Sequence, residues 1–147
     1  MTVVVNASVA VKWYVKEVHD EEAELLLNGA FDLHAPELAI PEFGNIIWKK
    51  CRNGQISNGD ARKITEAFLN QNFTFHSHRK LLKSAFFGAL ATRQTVYDWS
   101  YLALAVSLSC KCVTADARFY KALEKTEMKR HLLWVEDLPE FCRNHSG

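Results

Sequence analysis

Four polar residues sit where apolar chain surrounds them. Asn6 directly follows Val3-Val4-Val5. Glu42 lies inside Leu38-Ala39-Ile40-Pro41-Glu42-Phe43. Asp98 opens the most apolar stretch of the chain, from Tyr97 to Ser109, and Asp116 follows Lys111-Cys112-Val113-Thr114 by one residue. A carboxylate attached to a buried element costs free energy unless it is paired, protonated or bound to a cation. Each position also has a purely local reading. Asp98 and Asp116 could cap helices, and Glu42 could sit in a first turn facing the helix dipole. Taken singly, the two readings stay open. Taken together, the four positions are candidates for one site.

The elements that would hold them can be read from pattern. Val3-Val4-Val5 is β-branched and apolar, as in a strand buried on both faces. A helix is expected from Ala7 to about Lys16. A second is expected over 20–28, with acids in its first turn and Gly29 as its stop. Residues 32–35 read as a short strand. Residues 37–52 read as a helix that restarts at Pro41, a residue tolerated in a first turn. Ser57 caps a further helix to about Asn70, residues 73–76 alternate like a strand, and 78–92 return to helix. Residues 97–109 are apolar nearly all round and predict a buried helix. Strands at 111–114 and 132–135 and helices at 116–125 and 137–142 complete the chain. Alternating strands and helices predict an α/β domain with a mainly parallel sheet. In such sheets ligands bind beyond the carboxyl ends of the strands, near a switch in strand order. If the strands ending at Val5 and Thr114 are neighbours, Asn6 and Asp116 emerge together at that edge.

Composition narrows the class. With 147 residues, 48% hydrophobic and 24% charged, the chain suits one folded domain, 1–147, and not a disordered segment. A net charge of +1 excludes nucleic-acid binding by bulk charge. The halves differ mildly: residues 1–70 carry 7 basic against 10 acidic side chains, and residues 71–147 carry 11 against 7. That leaves room for an anionic partner at the second half. Cys51, Cys110, Cys112 and Cys142 fit neither zinc nor thioredoxin spacing, so free and mostly buried thiols in a reducing, cytoplasmic setting are expected. No basic segment precedes the first apolar run, as a signal peptide would require. The longest low-polarity stretch, Trp99 to Cys110, is too short to span a bilayer, so no membrane association is expected.

The same residues carry a family resemblance. Val3-Val4-Val5-Asn6-Ala7-Ser8-Val9-Ala10-Val11-Lys12-Trp13 resembles the opening of PIN domains, particularly the VapC-type toxins. Ala35-Pro36-Glu37-Leu38 through Glu42-Phe43-Gly44-Asn45 is similar to their second motif. Thr95-Val96-Tyr97-Asp98-Trp99-Ser100-Tyr101-Leu102-Ala103-Leu104-Ala105 is similar to the third, and Val113-Thr114-Ala115-Asp116-Ala117-Arg118-Phe119 to the fourth. Each motif is short; their order and spacing over nearly the whole chain make the resemblance specific. It implies a three-layer α/β/α fold with about five strands. It implies a toxin of a toxin–antitoxin system that cleaves RNA with Mg²⁺ or Mn²⁺. Carried over by position, Asn6, Glu42, Asp98 and Asp116 become the catalytic, metal-binding set. Ser8, Asn45 and Thr114 become groups that orient it, and Arg118 becomes a contact to substrate phosphate. A cognate antitoxin protein and a homodimer are the implied partners.

One position departs from the pattern. The family's first acid is Asp, and this chain has Asn6, which removes one negative charge and places an NH₂ donor where a cation expects an acceptor. Weakened or absent activity follows. A chain that keeps the fold but works as a non-catalytic module, sequestering protein or RNA, is the alternative. His76 and His78 have the spacing of a metal pair only if a third ligand exists. Trp13, Tyr14, Trp48 and Trp99 are expected in the core or at an interface before they are expected to stack on bases.

Overall fold

A computed structural model describes residues 1–145; the single-domain reading of 1–147 extends two residues outside them. The strands are β1 (Thr2–Val5), β2 (Asp32–Pro36), β3 (Phe73–His76), β4 (Lys111–Thr114) and β5 (Leu132–Trp134). They form one sheet in the order β3-β2-β1-β4-β5. Every pairing is parallel, so the expected mainly parallel sheet is wholly so. The chain runs outward from β1 through β2 to β3, then crosses back to place β4 on the other side of β1. The strand-order switch therefore falls between β1 and β4.

Helices cover both faces: α1 (Ala7–Ala10), α2 (Asp20–Glu24), α3 (Ala39–Arg52), α4 (Asn58–Leu69), α5 (Leu82–Thr92), α6 (Val96–Ser107), α7 (Ala117–Leu123) and α8 (Leu138–His145). Alternation along β1 divides the core. Val3 and Val5 join Val9, Leu33, Phe43, Ile47, Phe68, Val113 and Leu138 on the side of α1 to α4 and α8. Val4 joins Ala85, Leu102, Cys112, Phe119 and Leu123 on the side of α5 to α7. This is the three-layer α/β/α architecture. All three valines are essentially inaccessible, and each such burial is worth roughly 1.5–3 kcal/mol.

Local boundaries differ from expectation for identifiable reasons. The helix expected over 7–16 is one α-turn followed by a 3₁₀ turn at Val11–Trp13, and that over 20–28 likewise tightens to 3₁₀ at Leu25–Leu27. Short helices often finish this way because the last carbonyls find closer donors. Pro41 does not restart α3. It lies in the first turn, where its missing N–H would have had no helical acceptor. The α3 entrance is capped from outside, by the Leu38 amide donating to His78 Nε2 at 2.9 Å. Asp98 is not a cap; Thr95 caps α6, its hydroxyl accepting from the Asp98 amide at 3.1 Å. The four cysteines are free, but only Cys112 is fully buried. The α5–α6 hairpin depends on a close approach: a Cβ at Gly88 would lie 2.3–2.5 Å from the Trp99 ring. The Trp99 indole also donates to the Thr92 hydroxyl at 2.7 Å. No helix among the described residues is long and apolar enough to cross a membrane.

Candidate active site at the strand-order switch

The carboxyl ends of β1 and β4 meet at the switch, and the backbone stitches them together. The Asn6 amide donates to the Val113 carbonyl at 3.0 Å. The Ala115 amide donates across to Ser8 Oγ at 3.3 Å. Asn6 caps α1, accepting from the Ser8 amide at 2.9 Å through Oδ1. Asp116 caps α7, accepting from the Phe119 amide at 3.2 Å. The buried Thr114 hydroxyl accepts from the Asp116 amide at 3.0 Å and fixes that turn. Ser8 and Thr114 thus hold backbone, which in turn aims Asn6 and Asp116. That is how the structure places two of the three expected orienting groups.

Two further acids enter from first turns, Glu42 on α3 and Asp98 on α6. Burial pushes the Glu42 carboxyl above its usual range. The Tyr101 hydroxyl, donating to Glu42 Oε1 at 2.6 Å, opposes that, and the charges of Asp98 and Asp116 add to it. Asp98 is likewise pushed up, first by burial and then by Asp116. The Thr95 hydrogen bond and the Arg118 charge act in the other direction. The three carboxylates, from three separate elements, therefore feel one another. Arg118 is exposed on α7 and close enough to act on Asp98. Asn45 lies one turn beyond Glu42 on α3, exposed and without a hydrogen bond among the described residues. Nothing in the structure ties it to the acids.

Tyr101 escaped sequence reasoning. Burial pushes its hydroxyl far above its ordinary range, with the Glu42 charge next, so it is a permanent donor to Glu42. The available signal was Asp98-x-x-Tyr101, a spacing that puts both side chains on one face of a helix. Its partner lies 59 residues away, and no local pattern reveals that.

All the donors here are oxygen, the preference of Mg²⁺ and Mn²⁺, and the charge on the carboxylates is only partly answered by Arg118. The chemistry of the set fits such a cation. Its geometry is less than a finished cage. Among the described residues no three His, Cys, Asp or Glu side chains converge as a metal-holding group. Asn6 removes one acid from the count, and Glu42 is drawn to Tyr101. Mg²⁺ keeps several waters and needs only one or two carboxylates, so looser spacing suits it. The histidines supply no second centre. His76 Nε2 is taken by His34 Nδ1 at 2.8 Å, His34 Nε2 by Asp32 at 2.8 Å, and His78 by Leu38. Trp13 donates to the Ala23 carbonyl and packs with Tyr14 against the core, whereas Trp48 is exposed beneath Arg52.

Comparison with known proteins agrees with this geometry. The PIN domain model matches residues 3–125. Ribonuclease VapC3 of Pyrobaculum aerophilum is 36% identical over 118 residues, covering 79% of this chain and 90% of that protein. The crystal structure of PAE2754, also from Pyrobaculum aerophilum, superposes with a TM-score of 0.69 at 23% identity, covering 99% of this chain and 91% of that one. VapC20 of Mycobacterium tuberculosis, a Sarcin-Ricin loop cleaving toxin, gives 0.64 at 12% identity over 82% and 95% of the two chains. VapBC2 from Rickettsia felis, bound to a promoter DNA fragment, gives 0.59 at 11% over 91% and 98%. At such identities the solved structures speak for the fold alone, whereas the sequence relative and the family model speak for descent: the chain belongs to the PIN domain family, and within it to the VapC type.

Proposed function

We propose that the chain is an endoribonuclease toxin that cleaves RNA phosphodiester bonds with Mg²⁺ or Mn²⁺, and that Asn6 weakens or silences it. The observation that carries this reading is the electrostatic coupling of Glu42, Asp98 and Asp116 at the β1–β4 switch. The similarity to Ribonuclease VapC3 supports the substrate class. Asp98, Asp116 and Glu42 would hold the cation directly or through water, with the Asn6 amide oxygen as a neutral fourth donor. When bound, the cation would offset phosphate charge and lower the pKa of an attacking water. Arg118, exposed beside the acids, would take a non-bridging phosphate oxygen. Tyr101 would keep Glu42 ionised and aimed.

The partners follow as part of the same proposal. A cognate antitoxin is supported by the likeness to the VapBC2 fold. A homodimer is supported by α5, which leaves Leu82, Phe86, Phe87 and Leu90 between 49% and 68% exposed. The free thiols suit a cytoplasmic protein.

The test compares the chain with its Asn6→Asp variant on structured RNAs, with Mn²⁺ and with EDTA, alongside calorimetric titration of Mn²⁺. Cleavage and tighter metal binding after Asn6→Asp, both abolished by EDTA, are expected. An Asn6→Asp protein that binds no Mn²⁺ and cleaves nothing refutes the nuclease and leaves the non-catalytic module.

A further inference from the structure

A cavity of about 310 Å³ opens beside the acids, lined by Ala117, Tyr120, Lys121, Glu124, Trp134 and Glu136. Its position is fixed by the elements that fix Asp116. Ala117 is the next residue, and the Tyr120 amide donates to the Asp116 carbonyl at 3.0 Å. Trp134 ends β5 as the register partner of Thr114, whose hydroxyl holds the Asp116 amide. The volume lies at the small end of ligand pockets, which run to about 300–1,000 Å³, so it suits one ring system.

The lining selects among occupants. Tyr120 and Trp134 are each partly exposed, with ring centroids 5.5 Å apart and planes 42° from parallel. They are too tilted to stack on each other, which leaves ring faces for a third flat group. His19 meets Trp134 edge-on, with centroids 6.4 Å apart, and its Nε2 lies 3.1 Å from Glu136 Oε1. Glu124 has no ion-pair partner among the described residues. A phosphate in the cavity would face two carboxylates against one ammonium, Lys121. An uncharged aromatic ring that carries N–H donors would meet stacking faces and a free acceptor.

We infer that this cavity holds one unpaired nucleobase of an RNA strand, stacked on Trp134 and Tyr120 and donating an exocyclic amino group to Glu124. The inference rests on the ribonuclease reading, with the scissile phosphate at the carboxylates next door. Splayed-out bases stacked on aromatic side chains are the usual way single-stranded RNA is read. A carboxylate accepts from an amino group such as cytosine N4, and uracil has none. The cavity therefore favours guanine, adenine or cytosine over uracil.

The experiment follows the Trp134 indole N–H by NMR, in EDTA, during titration with GMP, CMP, UMP, ribose 5-phosphate or N-acetyltryptophanamide. The signal is assigned by its loss in Trp134→Phe. GMP and CMP should shift it saturably, UMP more weakly, and ribose 5-phosphate not at all. Trp134→Leu should weaken GMP binding about five- to a hundredfold, read at the Lys121 amide, while Trp134→Phe should largely retain it. Glu124→Gln should bring UMP level with CMP. Equal shifts from ribose 5-phosphate, tighter binding of N-acetyltryptophanamide than of any nucleotide, or unchanged GMP affinity in Trp134→Leu would each overturn the proposal. The two readings fail separately. An Asn6→Asp protein that cleaves RNA while nucleotides leave Trp134 undisturbed refutes the base pocket alone. Nucleotide binding here without cleavage by Asn6→Asp refutes the nuclease alone.

Discussion

Tyr101→Phe removes one oxygen from a side chain that is 1% exposed and changes nothing else in its shape. The lost contact is the 2.6 Å donation to Glu42 Oε1. A hydrogen bond to a charged group is worth about 1.5–3 kcal/mol, and Glu42 is only half buried, so solvent screening favours the low end, about 1.5 kcal/mol at neutral pH. The pH dependence has a definite sign. Glu42 has a folded pKa above its unfolded value, so its contribution is most favourable below the unfolded pKa and is lost as pH rises through the folded one. The Tyr101 hydroxyl opposes that upward shift. Tyr101→Phe lets Glu42 rise further, so the variant's deficit is full at pH 7.5 and shrinks toward pH 5 as Glu42 takes up a proton. Urea unfolding in EDTA at both pH values measures this. A deficit that is the same at pH 5 and pH 7.5, or none at either, refutes the assignment of Tyr101 as the group that keeps Glu42 ionised.

Other perturbations test the surrounding frame. Gly88→Ala drives a methyl into the Trp99 ring and should cost about 1–3 kcal/mol, seen as a lower Tm and a changed near-UV signal. Gly44→Ala, which meets nothing within 4 Å, should instead stabilise α3 by roughly 0.5–1 kcal/mol in the same melts. Thr95→Ala deletes the α6 cap and should cost about 1 kcal/mol in urea unfolding; Thr95→Ser should restore most of it. His76 is pushed below its usual pKa, by burial first and then by the charges of His34 and Lys80. A depressed folded pKa gives stability that is present above the unfolded value of about 6.5 and lost as pH falls through the folded one. Unfolding of the parent chain should thus weaken between pH 7.5 and pH 5.5 by more than that of His76→Gln. Parallel curves would show that His76 does not contribute.

How much of this was legible depended on the range of the interaction. Val3-Val4-Val5 announced a doubly buried strand because burial on both faces demands an unbroken apolar run. Ser57 and Gly29 marked helix ends because capping and left-handed turns are local chemistry. Thr95 was legible in the same way, three residues before Asp98, and was passed over because the acid drew attention first. The Glu42–Tyr101 contact and the Asp32–His34–His76 chain join residues 59 and 42 apart, and only the sheet order brings them together. Periodicity establishes which faces are apolar, not which strand lies beside which. The tightening of two helices to 3₁₀ turns was likewise set by what packs around them. The acids themselves stood out because each breaks the apolar rule of its own element, a breach that single residues display openly.

Asn6 shows why the fold and the chemistry of such a site separate. Its Oδ1 caps α1 by accepting from the Ser8 amide, and its backbone amide anchors β1 to β4. A carboxylate would accept the same hydrogen bond, with the helix N-terminus favouring its charge. The local frame therefore treats Asn and Asp nearly alike. The site does not, because Glu42 and Asp98 are already raised by neighbouring negative charge, and a further carboxylate would raise them more unless a cation answered it. Asp at this position would make the site more dependent on metal and less comfortable without it. Asn leaves the same backbone, the same caps and the same pocket beside Asp116, with weaker demand for the ion. A chain built this way can keep a family's shape, and its capacity to hold a partner or a strand of RNA, while one neutral amide lowers its chemistry.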